Sequence, residues 1–61
     1  MTKKDYVKIA GVFIDSHQKL VATGKSYALD VLSDLAQDLA VVFASDNPQF
    51  NQDRFLEACG L

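Results

Sequence analysis

Asp46-Asn47-Pro48-Gln49-Phe50-Asn51-Gln52-Asp53-Arg54-Phe55 is a helix stop followed at once by a helix start. Proline disfavours helical geometry in the residue before it, so a helix arriving from the amino-terminal side ends at about Ser45 or Asp46. Asn51 then offers a side-chain oxygen to the free amides of a new first turn. Asp53 complements the positive end of that helix, and Phe50 and Phe55 occupy the two positions of a hydrophobic staple around the cap. The stretch predicts a short third helix over about Gln52 to Cys59. Gly60 stands where a terminal glycine closes a helix, with Leu61 able to fold back on the last turn.

Upstream of the stop, Ala28, Val31, Leu32, Leu35, Leu39, Val42 and Phe43 recur at helical spacing and define a wide apolar face. They predict a second helix from about Tyr27 to Ser45 or Asp46, roughly 30 Å long at the α-helical rise. Thr23-Gly24-Lys25-Ser26 punctuates the chain before it. Gly24 tolerates the left-handed conformation that ends helices, and Ser26 is a suitable cap for the next one.

The first helix starts at Thr2, with Asp5 three residues on as a variant of the capping box. Tyr6, Ile9, Phe13 and Leu20 form one apolar stripe. Val7, Ile14 and Val21, spaced by sevens, form a second beside it, and Ala10 and His17 lie between the two. Lys4, Lys8, Asp15 and Lys19 cluster opposite. The pattern predicts helix to about His17 and leaves Gln18 to Gly24 as either one more turn or a loop. Gly11 sits inside this helix on its polar side, where glycine costs about 1 kcal/mol relative to alanine. The expected fold class is all-α: one domain over residues 1–61, a small three-helix unit of two antiparallel helices and a short C-terminal helix.

A chain of 61 residues hides only about 60% of the surface its unfolded form exposes, so such a domain needs a disulfide, a metal, a partner subunit or very good packing. Cys59 is the single cysteine, which excludes an intrachain disulfide, and one cysteine with one histidine, His17, does not make a structural zinc site. A hydrophobic content of 49% is enough for a folded core. No stretch approaches the ~20 apolar residues of a membrane span, no leader pattern is visible, and a lone cysteine fits a reducing compartment. The expected location is therefore the cytoplasm, with no membrane association.

Net charge is −2 but unevenly spread. Residues 1–25 carry five lysines against two aspartates, a net +3, and residues 26–61 carry Arg54 against six carboxylates, a net −5. The simplest expectation is that the oppositely charged halves attract each other within the fold.

Nothing in the chain assembles a recognisable active site. His17 has no serine, cysteine or carboxylate placed against it by sequence, so it reads as a partly buried packing or capping residue, and Cys59, beside apolar neighbours, reads as a small core hydrophobe. No glycine-rich phosphate loop exists, and no cofactor is expected. Asp30, Asp34 and Asp38 are the main polar feature: spacing of four puts all three on one helix face, opposite Leu32, Leu35 and Leu39. They read as a solvated acidic face, with lysine pairing or docking of a basic partner as the other readings. Three carboxylates on one straight helix cannot converge on one ion without help from elsewhere. Lys3, Lys4, Lys8 and Lys19 are interspersed with acidic residues in a net acidic chain, which weighs against direct nucleic-acid binding.

The opening Met1-Thr2-Lys3-Lys4-Asp5-Tyr6-Val7-Lys8-Ile9-Ala10, and the stretch from Leu39 through Asp46-Asn47-Pro48-Gln49-Phe50-Asn51 to Arg54-Phe55-Leu56-Glu57-Ala58-Cys59-Gly60, resemble short proteins encoded in tailed phages and prophages. The segment from Asp15 to Tyr27 shows little of this likeness. The closing motif consists of capping, staple and stop signals, so it marks a fold and carries no catalytic residue. What the resemblance implies is a phage or mobile-element accessory protein acting inside a bacterial host cell.

The expected function is a non-enzymatic protein-interaction module. The alternative is a nucleic-acid-associated regulator using the lysines of helix one. The expected interaction surface is Val7, Ile14, Asp30, Asp34 and Asp38. Val7 and Ile14 belong to the stripe left over once Tyr6, Ile9, Phe13 and Leu20 face helix two, with Val21 beside them and Val41 near the acidic face. A two-fold homodimer with helix one packing on its own copy would cover it.

Overall fold

The computed structural model describes all residues from 1 to 61. It is all-helical: α1 spans Lys3–Ala22, a single 3-10 turn spans Ser26–Ala28, α2 spans Leu29–Asp46 and α3 spans Gln52–Ala58. The ring of Tyr6, near the start of α1, lies 5.1 Å from that of Phe43, near the end of α2. A short connection joins the other two ends, so α1 and α2 form an antiparallel hairpin. The short α3 packs on both, and the molecule measures 37 × 19 × 14 Å.

Local signals set most of the boundaries. The Asp5 carboxylate accepts from the Thr2 amide at 2.9 Å and the Thr2 hydroxyl at 3.2 Å. These bonds favour its charged form and hold its pKa below the usual carboxylate value. The undecided segment after His17 is helix to Ala22. Its end is tied by Gly24 at φ +73°, whose amide donates to the Val21 carbonyl at 3.2 Å while that of Lys25 donates to Leu20 at 2.8 Å. That is the double bond pattern of a Schellman closure. The Thr23 hydroxyl adds a third tie, to the Lys19 carbonyl at 2.8 Å.

The start of α2 differs from expectation. Ser26 makes no capping bond; it lies in the 3-10 turn, and α2 begins at Leu29 with Ala28 in the cap position. The closure of α1 uses residues through Lys25, so the chain has no extended residue left in which Ser26 could act as a cap.

The stop and restart behave as the sequence implies. α2 ends at Asp46, and Asn47 is extended. Asn51 accepts from the Arg54 amide at 3.0 Å, and the rings of Phe50 and Phe55 stand 5.6 Å apart across the cap. A second Schellman closure ends α3: Gly60 has φ +79°, its amide donates to Glu57 at 3.0 Å, and that of Leu61 donates to Leu56 at 3.2 Å.

The core consists of Ala10, Phe13, Ala36, Ala40, Phe43, Phe55 and Cys59. Phe43 is its hub, with Tyr6, Phe50 and Phe55 all within 5.5 Å between ring centres and tilted or edge-on to it. Such pairs contribute about 0.5–1.5 kcal/mol each beyond their buried area. Ala36 and Ala40, one turn apart, are fully buried. With no side chain beyond Cβ, they let neighbouring backbone approach closely.

This arrangement corrects the expected inner face of α2. Val31, Leu35 and Val42 do not reach the core: they are 70%, 52% and 59% exposed. The helix is rotated so that its alanines and Phe43 point inward, because α1 and the two-turn α3 cover only part of its apolar circumference.

Candidate functional site

Neither Cys59 nor His17 has the surroundings of a catalytic group. Cys59 is fully buried, and burial pushes its thiol pKa up, so at neutral pH it is a protonated packing group rather than a nucleophile. His17 is half-buried on α1. No three His, Cys, Asp or Glu side chains are grouped to hold a metal ion. No helix is long and apolar enough to cross a membrane.

What the surface offers is apolar area. Only seven residues are buried, while eleven large hydrophobic side chains are exposed. The accessible area is 4450 Å², against about 3,900 Å² expected for a compact monomer of this mass. Roughly 500 Å² is therefore left in excess of the compact-monomer value.

That area lies on two sides of the hairpin. Val7 and Ile14 are on the α3 side. Val7 is 60% exposed and lines an open cleft of about 360 Å³ between the start of α1 and α3, together with Lys3, Tyr6, Phe50 and Arg54. Ile14 is only 36% exposed and lies beside the closing turn of α3: a methyl group at Gly60 would stand 3.6 Å from its Cγ1. The two residues expected to form one bare stripe thus part company, because the chain after Phe55 folds over the middle of α1 and leaves its first turns open.

The other side carries exposed side chains from both helices. On α1, Val12 lies across the inward-facing line of Tyr6, Ala10 and Phe13 from Val7 and Ile14, and so faces away from α3; it is 62% exposed. Because α2 runs antiparallel, its flank away from α3 is the one carrying Val31, Leu35 and Val42, with half-buried Leu39 at the seam. These five residues make a continuous apolar band along the hairpin.

Charges border this band unequally. Lys8, one turn before Val12, and Lys19, two turns after it, lie on the α1 rim with Asp15 between them; Asp34 and Asp38 form the α2 rim, with Asp30 turned further outward. All six are exposed, and none of their side chains makes a hydrogen bond. The expected attraction between the two charged halves is not expressed as direct pairing within the chain, since the two rims lie on opposite edges of the same face.

Sequence reasoning missed the exposure of Val12, Val31, Leu35 and Val42. The available signal was arithmetic: apolar positions span more of α2 than one neighbouring helix and a seven-residue α3 can cover. No family model, curated protein or solved structure matches the chain.

Proposed function

We propose that this chain is a non-enzymatic protein-interaction module, an accessory protein of a phage or other mobile element acting in the cytoplasm of its bacterial host. The observation that carries the reading is the exposed apolar area: eleven large hydrophobic side chains outside against seven residues inside. Contiguous exposed apolar surface rimmed by charge is characteristic of a surface that binds protein. The phage setting rests on the likeness of the two chain ends to short phage proteins.

Affinity capture from bacterial lysate tests this reading, with wild-type protein and the surface variants Val7→Glu and Leu35→Glu as bait. A protein retained by wild type and lost by one variant supports it and says which side is used. Retention of nucleic acid that falls steeply with added salt would instead support a regulator acting through the α1 lysines.

A further inference from the structure

We propose that the hairpin face away from α3 is the interface of a two-fold homodimer, in which the α1–α2 hairpins of two copies stack into a four-helix bundle. The apolar band of Val12, Val31, Leu35, Leu39 and Val42 supplies its core.

The charge layout selects a second copy of this chain as the occupant. The face has a net basic rim on α1, where Lys8 and Lys19 flank Asp15, and a wholly acidic rim on α2, with the apolar band between. A two-fold axis parallel to the helices lays α1 of one copy over α2 of the other, so each basic rim meets an acidic rim. An axis across the helices would lay α1 over α1 and α2 over α2, setting the acidic rim of one copy against that of the other. Either axis makes every neighbouring helix pair antiparallel, the up-and-down topology of a four-helix bundle, so the charge layout makes the choice. It differs from the dimer expected from sequence, in which α1 packs on its own copy.

The register agrees. Rotation about an axis parallel to the helices leaves axial positions unchanged, so the level of each residue is fixed by the fold of one chain. Counting along antiparallel helices from the Tyr6–Phe43 contact puts Lys8 about three residues, or ~4.5 Å, from the level of Asp38. The same count puts Lys19 about four residues, or ~6 Å, from the level of Asp34. Both offsets are within reach of a lysine side chain. A dimer therefore brings Lys8 to Asp38 of the second copy and Lys19 to Asp34 of the second copy, four pairs around one apolar centre, with Asp15, level with Asp34, as the one like-charged neighbour on the rim.

This inference deepens the interaction-module reading by naming the partner of one face. Sedimentation equilibrium at 1–100 μM, a concentration range about that of typical module affinities, decides it. The expected mass is twice the 6.7 kDa of the chain. Leu35→Glu and, at a more exposed position, Val31→Glu should each weaken the dimer at least a hundredfold with the helical circular-dichroism signal intact. Asp38→Lys alone should weaken it about tenfold, and the exchange Lys8→Asp with Asp38→Lys should restore it. A wild-type monomer at the highest concentration overturns the proposal. So does a dimer that survives Leu35→Glu and Val31→Glu but is lost in Val7→Glu, or an exchange variant no tighter than Asp38→Lys alone. A monomer that still captures a host protein leaves the module reading standing; a monomer that captures nothing overturns both.

Discussion

The two ends of the hairpin are made of similar helices but are stabilised differently. At the end where α1 begins and α2 stops, Tyr6, Phe43, Phe50 and Phe55 pack ring against ring, and α3 closes over them. At the other end, no residue from Ile14 to Leu35 is buried. There α1 and α2 are held by the Schellman closure at Gly24, the 3-10 turn, and half-buried Leu20, Leu29 and Leu32. Helix signals therefore do not measure how well a helix is anchored. Anchoring follows from what else is available to cover it, and in this chain the only covering element, α3, sits at one end.

The largest expected effect comes from removing a ring at the closed end. Phe55 is 4% exposed and touches Phe13, Phe43 and Phe50. Phe55→Ala should cost about 3–5 kcal/mol, enough to unfold most of so small a domain. A thermal melt by circular dichroism reads this directly; a transition at the wild-type temperature would mean that the aromatic cluster does not hold the fold.

Asn51→Ala sharpens the comparison one step down, because it loosens α3 without touching the core. Loss of the bond to the Arg54 amide should cost about 1 kcal/mol. It should also make the buried Cys59 thiol react faster with an alkylating reagent below the melting temperature. Unchanged alkylation would show that the staple alone fixes α3.

Gly11→Ala acts in the opposite direction. No atom stands within 4 Å of a Cβ built there, and the helix pays glycine's entropy for no packing gain. The substitution should stabilise by up to about 1 kcal/mol. A loss of stability in the denaturant midpoint would reveal a close approach to that face, such as a second copy packing on α1 there.

The smallest effect belongs to the acidic edge. Changing Asp30, Asp34 and Asp38 together to asparagine should leave the stability of the single chain equal or raised by a few tenths of a kcal/mol, as like-charge repulsion at four-residue spacing is relieved. Measured at submicromolar concentration, where a dimer through that face is disfavoured, a marked loss would show that these carboxylates form ion pairs within the fold.

Much of this was legible from the residues in order. The stop at Asp46, the cap at Asn51, the Phe50–Phe55 staple and the closures at Gly24 and Gly60 all appear in the structure where the sequence puts them. The extent of α1 beyond His17 was not legible, because Gln18 to Ala22 are compatible with helix or loop, and the Thr23–Lys25 closure decides in favour of helix. The Ser26 cap failed because that closure uses up the connecting residues. Val7 was correctly read as exposed, whereas Ile14 is partly covered by the turn at Gly60.

The sequence by itself determined where helices begin and end, because capping, staple and stop signals act between residues within about one turn of one another. It determined too that the halves are oppositely charged and that no disulfide can hold them. Only the tertiary structure decided which arc of α2 is the core. Hydrophobic periodicity shows that an arc is apolar but not which part of a wide arc a neighbour will cover. That choice went to Ala36 and Ala40, whose small side chains permit the closest packing, and to Phe43, which α3 supplies with partners. Val31, Leu35 and Val42, no less apolar, were left outside because a seven-residue third helix can cover only one side of the pair.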